Sequence, residues 1–99
     1  MAYWAKVENN IVVDVIVAEP EFVEQLSGTW IETDLNTRGN VHYNEAGEPD
    51  GGTPLRKNFA GVGYTYDPVA DAFYVATPPG TDIGWVFNQE TYIWELPTD

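Results

Sequence analysis

The chain has no cysteine and only four basic residues among its 99 residues. The lack of cysteine excludes disulfides, thiolate chemistry and cysteine-ligated zinc or iron–sulfur centres. Four bases against 16 acids give a formal charge of −12, and no base follows Lys57. Because phosphate groups need cationic partners, we expect no nucleic-acid partner and no binding to an anionic membrane surface.

Long apolar segments are also missing. No apolar run approaches the ~20 residues that a membrane-spanning helix needs. The first residues, Met1 to Lys6, do not show the charged-then-apolar pattern of a secretion signal. We therefore expect neither a membrane span nor secretion.

Apolar and aromatic residues are plentiful. Of all residues 43% are apolar, and four tryptophans, six tyrosines and four phenylalanines are among them. Such a chain can form one core at this length, so we expect a single β-rich domain over residues 1–99. Residues 35–57 are rich in Asn, Thr, Gly, Pro and Asp. This polar region is either a functional loop or a short exposed hairpin around residues 44–47.

The N-terminal 18 residues show a strand pattern. Residues 2–8 alternate between two faces, and Asn9-Asn10 can form a two-residue turn because asparagine tolerates positive φ. We expect a β-hairpin over residues 2–18. Its second strand carries apolar residues on both faces, with Ile11, Val13, Val15 and Val17 sharing one of them. That pattern predicts a central strand that is covered on both sides.

One short helix is expected over residues 20–27. Pro20 fits the first helical turn, and the acids Glu19 and Glu21 complement the helix dipole. Gly28 follows the segment and favours a helix end. Its apolar stripe consists of Phe22, Val23 and Leu26, which we expect to pack on the sheet.

The C-terminal half contains two similar aromatic segments. Gly63 to Val75 and Gly84 to Trp94 each read Gly, aromatic, β-branched, aromatic, then Asp or Asn, a short turn and a second aromatic strand. We expect two successive hairpins. The fold class is therefore mainly β: a small antiparallel sheet of successive hairpins, six to eight strands in a sandwich or open barrel, with one short helix.

No constellation for catalysis, cofactor binding or metal binding is evident. His42 is the single histidine and has no nucleophile pattern with it. The oxygen-rich segment from Asn44 to Gly51 lacks the ligand spacing of an EF-hand, whose twelfth position would fall on Leu55. We expect a protein that is not an enzyme and has no catalytic, cofactor-binding or metal-binding residues.

The aromatic residues offer two interpretations. They can all pack inward, or some can contribute to an interface, where tyrosine and tryptophan are enriched. We predict an interface that includes Tyr64, Tyr66, Trp85, Tyr92 and Trp94. The bases around residues 35–57, namely Arg38, Arg56 and Lys57, could meet the acidic surface of a neighbouring copy.

The block Asn-Phe-Ala-Gly-Val-Gly-Tyr-Thr-Tyr-Asp at residues 58–67 resembles a family of small uncharacterised proteins from tailed phages of marine bacteria, including cyanophages. The resemblance extends to residues 5–12, 39–43, 55–57, 71–73 and 85–95. It implies a viral origin and no particular mechanism. Residues 74–77 depart from the family pattern, which usually has a stretch containing proline and lysine there.

The resemblance favours a virion accessory or structural protein that acts by protein–protein binding, as a capsid decoration or a module of the tail or fibre. Its partners would be other viral structural proteins or further copies of itself in a homo-oligomer, and its location would be the virion, assembled in the host cytoplasm. The alternative is a phage-encoded effector that binds a host protein, where strong acidity could imitate nucleic acid.

Overall fold

The computed structural model describes residues 2–80 and 83–97. Its elements in chain order are β1 (Ala2–Glu8), β2 (Ile11–Ala18), α1 (Pro20–Val23), β3 (Thr29–Thr33), β4 (Thr37–Arg38), β5 (Val41–His42), β6 (Thr65–Asp67), β7 (Ala72–Tyr74), β8 (Val86–Asn88) and β9 (Ile93–Glu95). The expected mainly antiparallel β fold with one short helix is confirmed. Nine strands lie within these residues, one more than the upper end of the expected six to eight, and six of them have only two or three residues.

The predicted N-terminal hairpin is present. Glu8 pairs with Ile11 across the turn, and Asn9 and Asn10 have φ of 53° and 66°. Two consecutive residues with positive φ give the turn the twist that tight hairpins require. β1 also pairs with β3 on its other side, so β1 is the strand with the most extensive pairing.

The prediction for the faces of β2 is wrong. Val7 pairs with Val12 but Lys6 pairs with Asp14, so Val13 is an extra residue in a β-bulge. The bulge moves Val12 to the core side, where it is almost completely buried, and leaves Val13 41% exposed. β2 is therefore not covered on both sides.

The main sheet has five strands in the order β3-β1-β2-β6-β7. β6 joins β2 through the single pair Ile11 and Thr65. The core lies on one face of this sheet and consists of Ala5, Val7, Val12, Ala60 and Phe73, with Val15, Ile31, Tyr64 and Tyr66 packed against it. Phe73 on β7 is the largest of the fully buried side chains.

The helix ends at Val23 rather than at residue 27. Beyond it, the amides of Gln25 and Leu26 bond to carbonyls three residues back, at 3.1 and 3.0 Å, as in tighter turns. Only Val23 of its apolar stripe is buried, and Phe22 is 54% exposed. So little burial cannot hold a longer helix in place. This four-residue helix is the only one among the described residues, and none there could cross a membrane.

Within the polar region 35–57, residues 37–49 form two short hairpins. β4 and β5 pair around Gly39 and Asn40, which have φ of 61° and 63°. A second turn at residues 44–47 is closed by a bridge between Tyr43 and Pro49. Of the two interpretations of this region, the short exposed hairpin is the correct one for residues 44–47. The two hairpins project from the sheet and provide one side of the cleft described below.

The two aromatic hairpins are also present, as β6–β7 and β8–β9. The second repeats the first at a spacing of 21 residues, from Thr65 to Val86 and from Ala72 to Ile93. The similarity extends to side chains. Tyr66 contacts Phe73 with ring centroids 5.2 Å apart, and at the corresponding positions Phe87 contacts Trp94 at 5.1 Å.

Candidate functional site

The segment Arg56-Lys57-Asn58 connects most parts of the molecule. Arg56 and Lys57 both have positive φ, 51° and 68°, which turns the chain so that its carbonyls point in different directions. The Arg56 carbonyl accepts the amide of Phe73 at 3.1 Å, and the Lys57 carbonyl accepts the amide of Asn40 at 2.8 Å. This segment therefore ties the β4–β5 hairpin to β7.

Asn58 makes the largest contribution to this connection. Its side chain is 7% exposed, and its Oδ1 accepts the amide of Gly39 at 2.7 Å. Its Nδ2 donates to the carbonyls of Phe73, Thr91 and Tyr92 at 3.0, 3.0 and 3.2 Å. One buried amide thus joins both aromatic hairpins to the β4–β5 hairpin.

The two bases of this segment act within the chain. Arg56 Nε donates to Asp71 at 2.9 Å, and its Nη1 donates to the carbonyl of Glu32 at 2.9 Å. Lys57 Nζ donates to the carbonyl of Glu90 at 3.0 Å and lies 5.1 Å from the centre of the Tyr92 ring. Both bases therefore already have hydrogen-bond partners within the chain, which does not favour the predicted pairing with the acidic surface of a neighbouring copy.

A cleft of about 1000 Å³ opens between the hairpins of residues 35–47 and the C-terminal aromatic hairpins. Aromatic side chains form much of its lining, namely Tyr43, Phe59, Tyr64, Tyr74, Tyr92 and Trp94. Polar groups are interspersed with them, including Arg38, Glu45 and three asparagines. Concave sites with mainly apolar walls and a few polar groups are typical of ligand binding.

Three rings on the C-terminal side of the cleft, those of Tyr74, Tyr92 and Trp94, pack around Phe87, which lies behind the lining. Phe87 has ring centroids 5.5 Å from Tyr74, 5.2 Å from Tyr92 and 5.1 Å from Trp94. Polar atoms fix two of these rings: Tyr92 donates to Asp67 Oδ2 at 3.2 Å, and Trp94 Nε1 donates to the Val75 carbonyl at 2.7 Å. The ring positions are therefore set before any ligand binds.

The opposite side of the cleft carries Tyr43 and the exposed Arg38. The guanidinium carbon of Arg38 lies 5.2 Å from the centre of the Tyr43 ring, within the range of a cation–π contact. Thr37 also lines the cleft; it is 2% exposed and its hydroxyl has no hydrogen-bond partner among the described residues.

The five predicted interface residues are all half-buried, but they do not form one surface. Tyr64, Tyr92 and Trp94 line the cleft. Tyr66 packs on the core, where its hydroxyl donates to Asp71. Trp85 precedes β8 and lies outside the cleft. Their role in an interface stays a prediction.

Exposed apolar side chains surround the last hairpin. Val75, Ile83, Val86 and Leu96 are 40%, 42%, 52% and 61% exposed, and Trp85 is half-buried. In the register of β8 and β9, Trp85 and Leu96 belong to one face of the hairpin and Val86 to the other. The bond from Trp94 to the Val75 carbonyl brings Val75 alongside β9. We call these five residues the C-terminal apolar patch.

His42 is held between two carboxylates. Its Nδ1 is 2.7 Å from Asp50 Oδ1, and its Nε2 is 3.1 Å from Asp34 Oδ2. The hydrogen bond to Asp50, with the negative charges of Asp50 and Asp34, raises the pKa of His42 above 6.5. The same bond lowers the pKa of Asp50, helped by the amide of Gly52. These contacts connect residues 34, 42, 50 and 52 with one another. The group contains no nucleophilic side chain.

Asn44, the first residue of the oxygen-rich segment, acts in a turn. Its Oδ1 accepts the amides of Ala46 and Glu48 at 2.9 and 3.0 Å. Across residues 2–80 and 83–97, no group of three or more His, Cys, Asp or Glu side chains could hold a metal ion.

Sequence reasoning found three cleft residues and missed Thr37, Tyr43, Tyr74 and the connecting Asn58. The partners of Asn58 lie 15 to 34 residues away, so no local pattern indicates its role. Comparisons with protein-family models, curated proteins and solved structures found no match for this chain.

Proposed function

We propose that the chain is a virion accessory protein, a capsid decoration or a module of the tail or fibre, that acts by protein–protein binding. The observation that carries the proposal is the C-terminal apolar patch, in which four large apolar side chains are at least 40% exposed. Exposed apolar side chains gathered around one hairpin favour association with a partner.

The overall dimensions also favour a bound state. The chain measures 50 × 32 × 21 Å and has an accessible surface of 6386 Å². A compact monomer of its mass, 11.1 kDa, has roughly 5700 Å². Eight apolar residues are buried among the described residues, a small core for a chain with 43% apolar composition. Covering the patch with a partner would remove apolar surface that folding leaves in water.

The charge distribution bears on the kind of partner. Each copy carries a formal charge of −12, while Arg56 and Lys57 are bonded within the chain. Two copies would therefore meet with like charges, which weakens association at low salt. A viral structural protein with a basic surface around an apolar site would fit better than a further copy.

Purified virions provide the test, since the proposal requires the protein to be part of the particle. We expect mass spectrometry of particles from an infected culture that carries this gene to find the protein in stoichiometric amounts. Its presence in the infected-cell lysate and absence from washed particles would reject the proposal and favour the host-directed effector.

A matched pair of variants tests the patch. Replacing Trp85 by Ser should reduce incorporation into particles at least tenfold, because Trp85 lies within the patch. Replacing Trp30 by Ser should leave incorporation unchanged, because Trp30 is a half-buried tryptophan on β3, away from the patch. Equal incorporation of both folded variants would exclude the patch as the docking surface.

A further inference from the structure

We propose that the aromatic cleft binds a neutral oligosaccharide. This inference does not rest on the proposed protein–protein binding, because the cleft and the C-terminal apolar patch share only Val75. It rests on three properties of the cleft: ring faces held in fixed positions, polar groups of both donor and acceptor type, and the absence of a strong positive charge.

The fixed rings supply the apolar part of sugar recognition. One face of a pyranose ring presents C–H groups with a small positive charge, and the face of an aromatic ring is negative. The two faces therefore attract each other, and stacking removes apolar area from water. Tyr92 and Trp94 are held in place by hydrogen bonds to Asp67 and Val75, so little side-chain entropy is lost on binding.

The polar groups supply the directional part. The hydroxyls of Tyr43, Tyr64 and Tyr74 form no hydrogen bond with the described residues, so each can donate and accept. Arg38 is a donor and Glu45 an acceptor, and both are exposed at the cleft. Sugar hydroxyls also donate and accept, so a polyol satisfies both kinds of group.

A buried hydroxyl group in the lining also favours a ligand that carries hydroxyl groups. Thr37 lines the cleft, is 2% exposed and has no partner for its Oγ1 among the described residues. An unpaired buried polar group is costly, and native proteins contain few of them. A ligand hydroxyl that reached Thr37 from the cleft would provide the missing partner.

Charge and size narrow the ligand class. The chain has a charge of −12 and the cleft contains one base and one acid, so phosphorylated or acidic ligands are disfavoured. A volume of about 1000 Å³ is at the upper end of small-molecule sites and has room for several sugar rings. A proline-rich peptide also fits aromatic grooves, but its unpaired groups are carbonyl acceptors, which leaves Glu45 without a donor.

The test is a titration of the full chain, ¹⁵N-labelled, followed by NMR. The probes are four neutral tetrasaccharides: cellotetraose, maltotetraose, mannotetraose and chitotetraose. We expect at least one to shift the amides around Tyr43, Tyr74 and Trp94 with a Kd below about 10 mM, which is weak binding on the usual scale. The shifts should be absent from β1 and β2.

Variants then connect the shifts to the cleft. Tyr43→Ala and Glu45→Gln should each weaken the best sugar at least fivefold, and Glu45 is exposed, so its replacement does not depend on refolding. Trp30→Ala is the control, because Trp30 does not line the cleft and should leave the affinity unchanged.

Three results would overturn the proposal. They are the absence of shifts with all four sugars at about 50 mM, shifts confined to residues outside the cleft, and binding of a decaproline peptide in the cleft while no sugar binds. Unchanged affinity in both Tyr43→Ala and Glu45→Gln would do the same. Loss of virion incorporation with intact sugar binding would reject only the protein–protein proposal.

Discussion

Asn58 shows how much of this fold depends on single polar side chains. Its amide bonds three carbonyls and one backbone amide from three different hairpins. The buried core that could otherwise hold those hairpins together is small. Hydrogen bonds to one side chain therefore take on a role that apolar packing has in larger domains.

Replacing Asn58 by Ala should lower the free energy of unfolding by about 2–4 kcal/mol, because it leaves several buried backbone groups without partners. Thermal unfolding would show this as a large drop in Tm. Asn36→Ala is the matched control: Asn36 is exposed and makes no side-chain hydrogen bond among the described residues, so its effect should stay within about 0.5 kcal/mol. Equal effects of the two changes would show that Asn58 has no special role.

His42 gives the stability a defined pH dependence. The carboxylates of Asp50 and Asp34 raise its pKa above 6.5, so the charged ring contributes stability that is fully present below pH 6.5. That contribution is lost as pH rises through the raised pKa of the folded protein. Asp50 acts in the opposite direction: its pKa is lowered below 3.8, so its contribution is lost at strongly acidic pH.

We therefore expect Tm to fall as pH rises above about 6.5, and the fall should disappear in His42→Gln. Since His42 is the one histidine, its ring proton signals can be followed by NMR without assignment. A measured pKa at or below 6.5 in the folded protein would contradict the position of His42 between the carboxylates of Asp34 and Asp50.

At the scale of elements, the edge of β2 needs protection from other chains. β6 covers this edge only near its start, where Val12 exchanges backbone bonds with Gly63 and Tyr64 at 2.8 Å. Further along, Asp14 Oδ1 accepts the amide of Val15 at 2.9 Å. A bulge and a charged side chain on an exposed edge are two devices that prevent edge-to-edge pairing.

Asp14→Val should remove both the charge and the acceptor, and exposed Val13 and Val17 would then adjoin a third valine. We expect this variant to aggregate faster than the wild type in light-scattering assays. Asp14→Asn keeps an oxygen that can accept the Val15 amide, so it should aggregate more slowly than Asp14→Val. If both variants stay as soluble as the wild type, the edge is protected by other means.

The repeated hairpins share one turn design. Asp67 Oδ1 accepts the amides of Val69 and Ala70, and Asn88 Oδ1 accepts those of Glu90 and Thr91. In each turn the fourth residue after the acceptor has positive φ, 55° at Asp71 and 56° at Tyr92. The use of Asp in one hairpin and Asn in the other indicates that the oxygen matters more than the charge.

Asp67→Asn should therefore change stability by less than about 0.5 kcal/mol, whereas Asp67→Ala should cost about 1–2 kcal/mol through the loss of two turn bonds and the contact with Tyr92. Urea unfolding of the two variants measures the difference. A cost for Asp67→Asn as large as that for Asp67→Ala would mean that the charge itself is needed.

The local sequence pattern predicted some of these features and not others, and the difference has a physical reason. The Asn9-Asn10 turn and the aromatic hairpins depend on residues close in sequence, and both were predictable. The bulge at Val13 depends on pairing with β1, and the contacts of His42 join it to Asp34 and Asp50, which lie eight residues away on either side. Neither feature follows from a local pattern. The cleft has the same origin, since its two walls come from separate halves of the chain.

The whole molecule combines a small core, a large acidic surface and an uncovered apolar patch. Its four bases are engaged within the chain: Lys6 lies 5.9 Å from the Trp30 ring, Arg38 stacks on Tyr43, and Arg56 and Lys57 bond to neighbouring segments. The surface is thus left strongly acidic, which favours solubility and opposes non-specific self-association. A specific partner at the C-terminal apolar patch is consistent with the acidic surface and with the exposure of the patch.

Hydrogen exchange followed by mass spectrometry tests this account most directly, by comparing the free protein with the protein in purified particles. We expect the amides of residues 84–96 to exchange more slowly in the particle, because the partner would cover the C-terminal apolar patch. Exchange in β1 and β2 should be the same in both samples. Unchanged exchange at residues 84–96, with new protection elsewhere in the chain, would contradict the proposed docking surface.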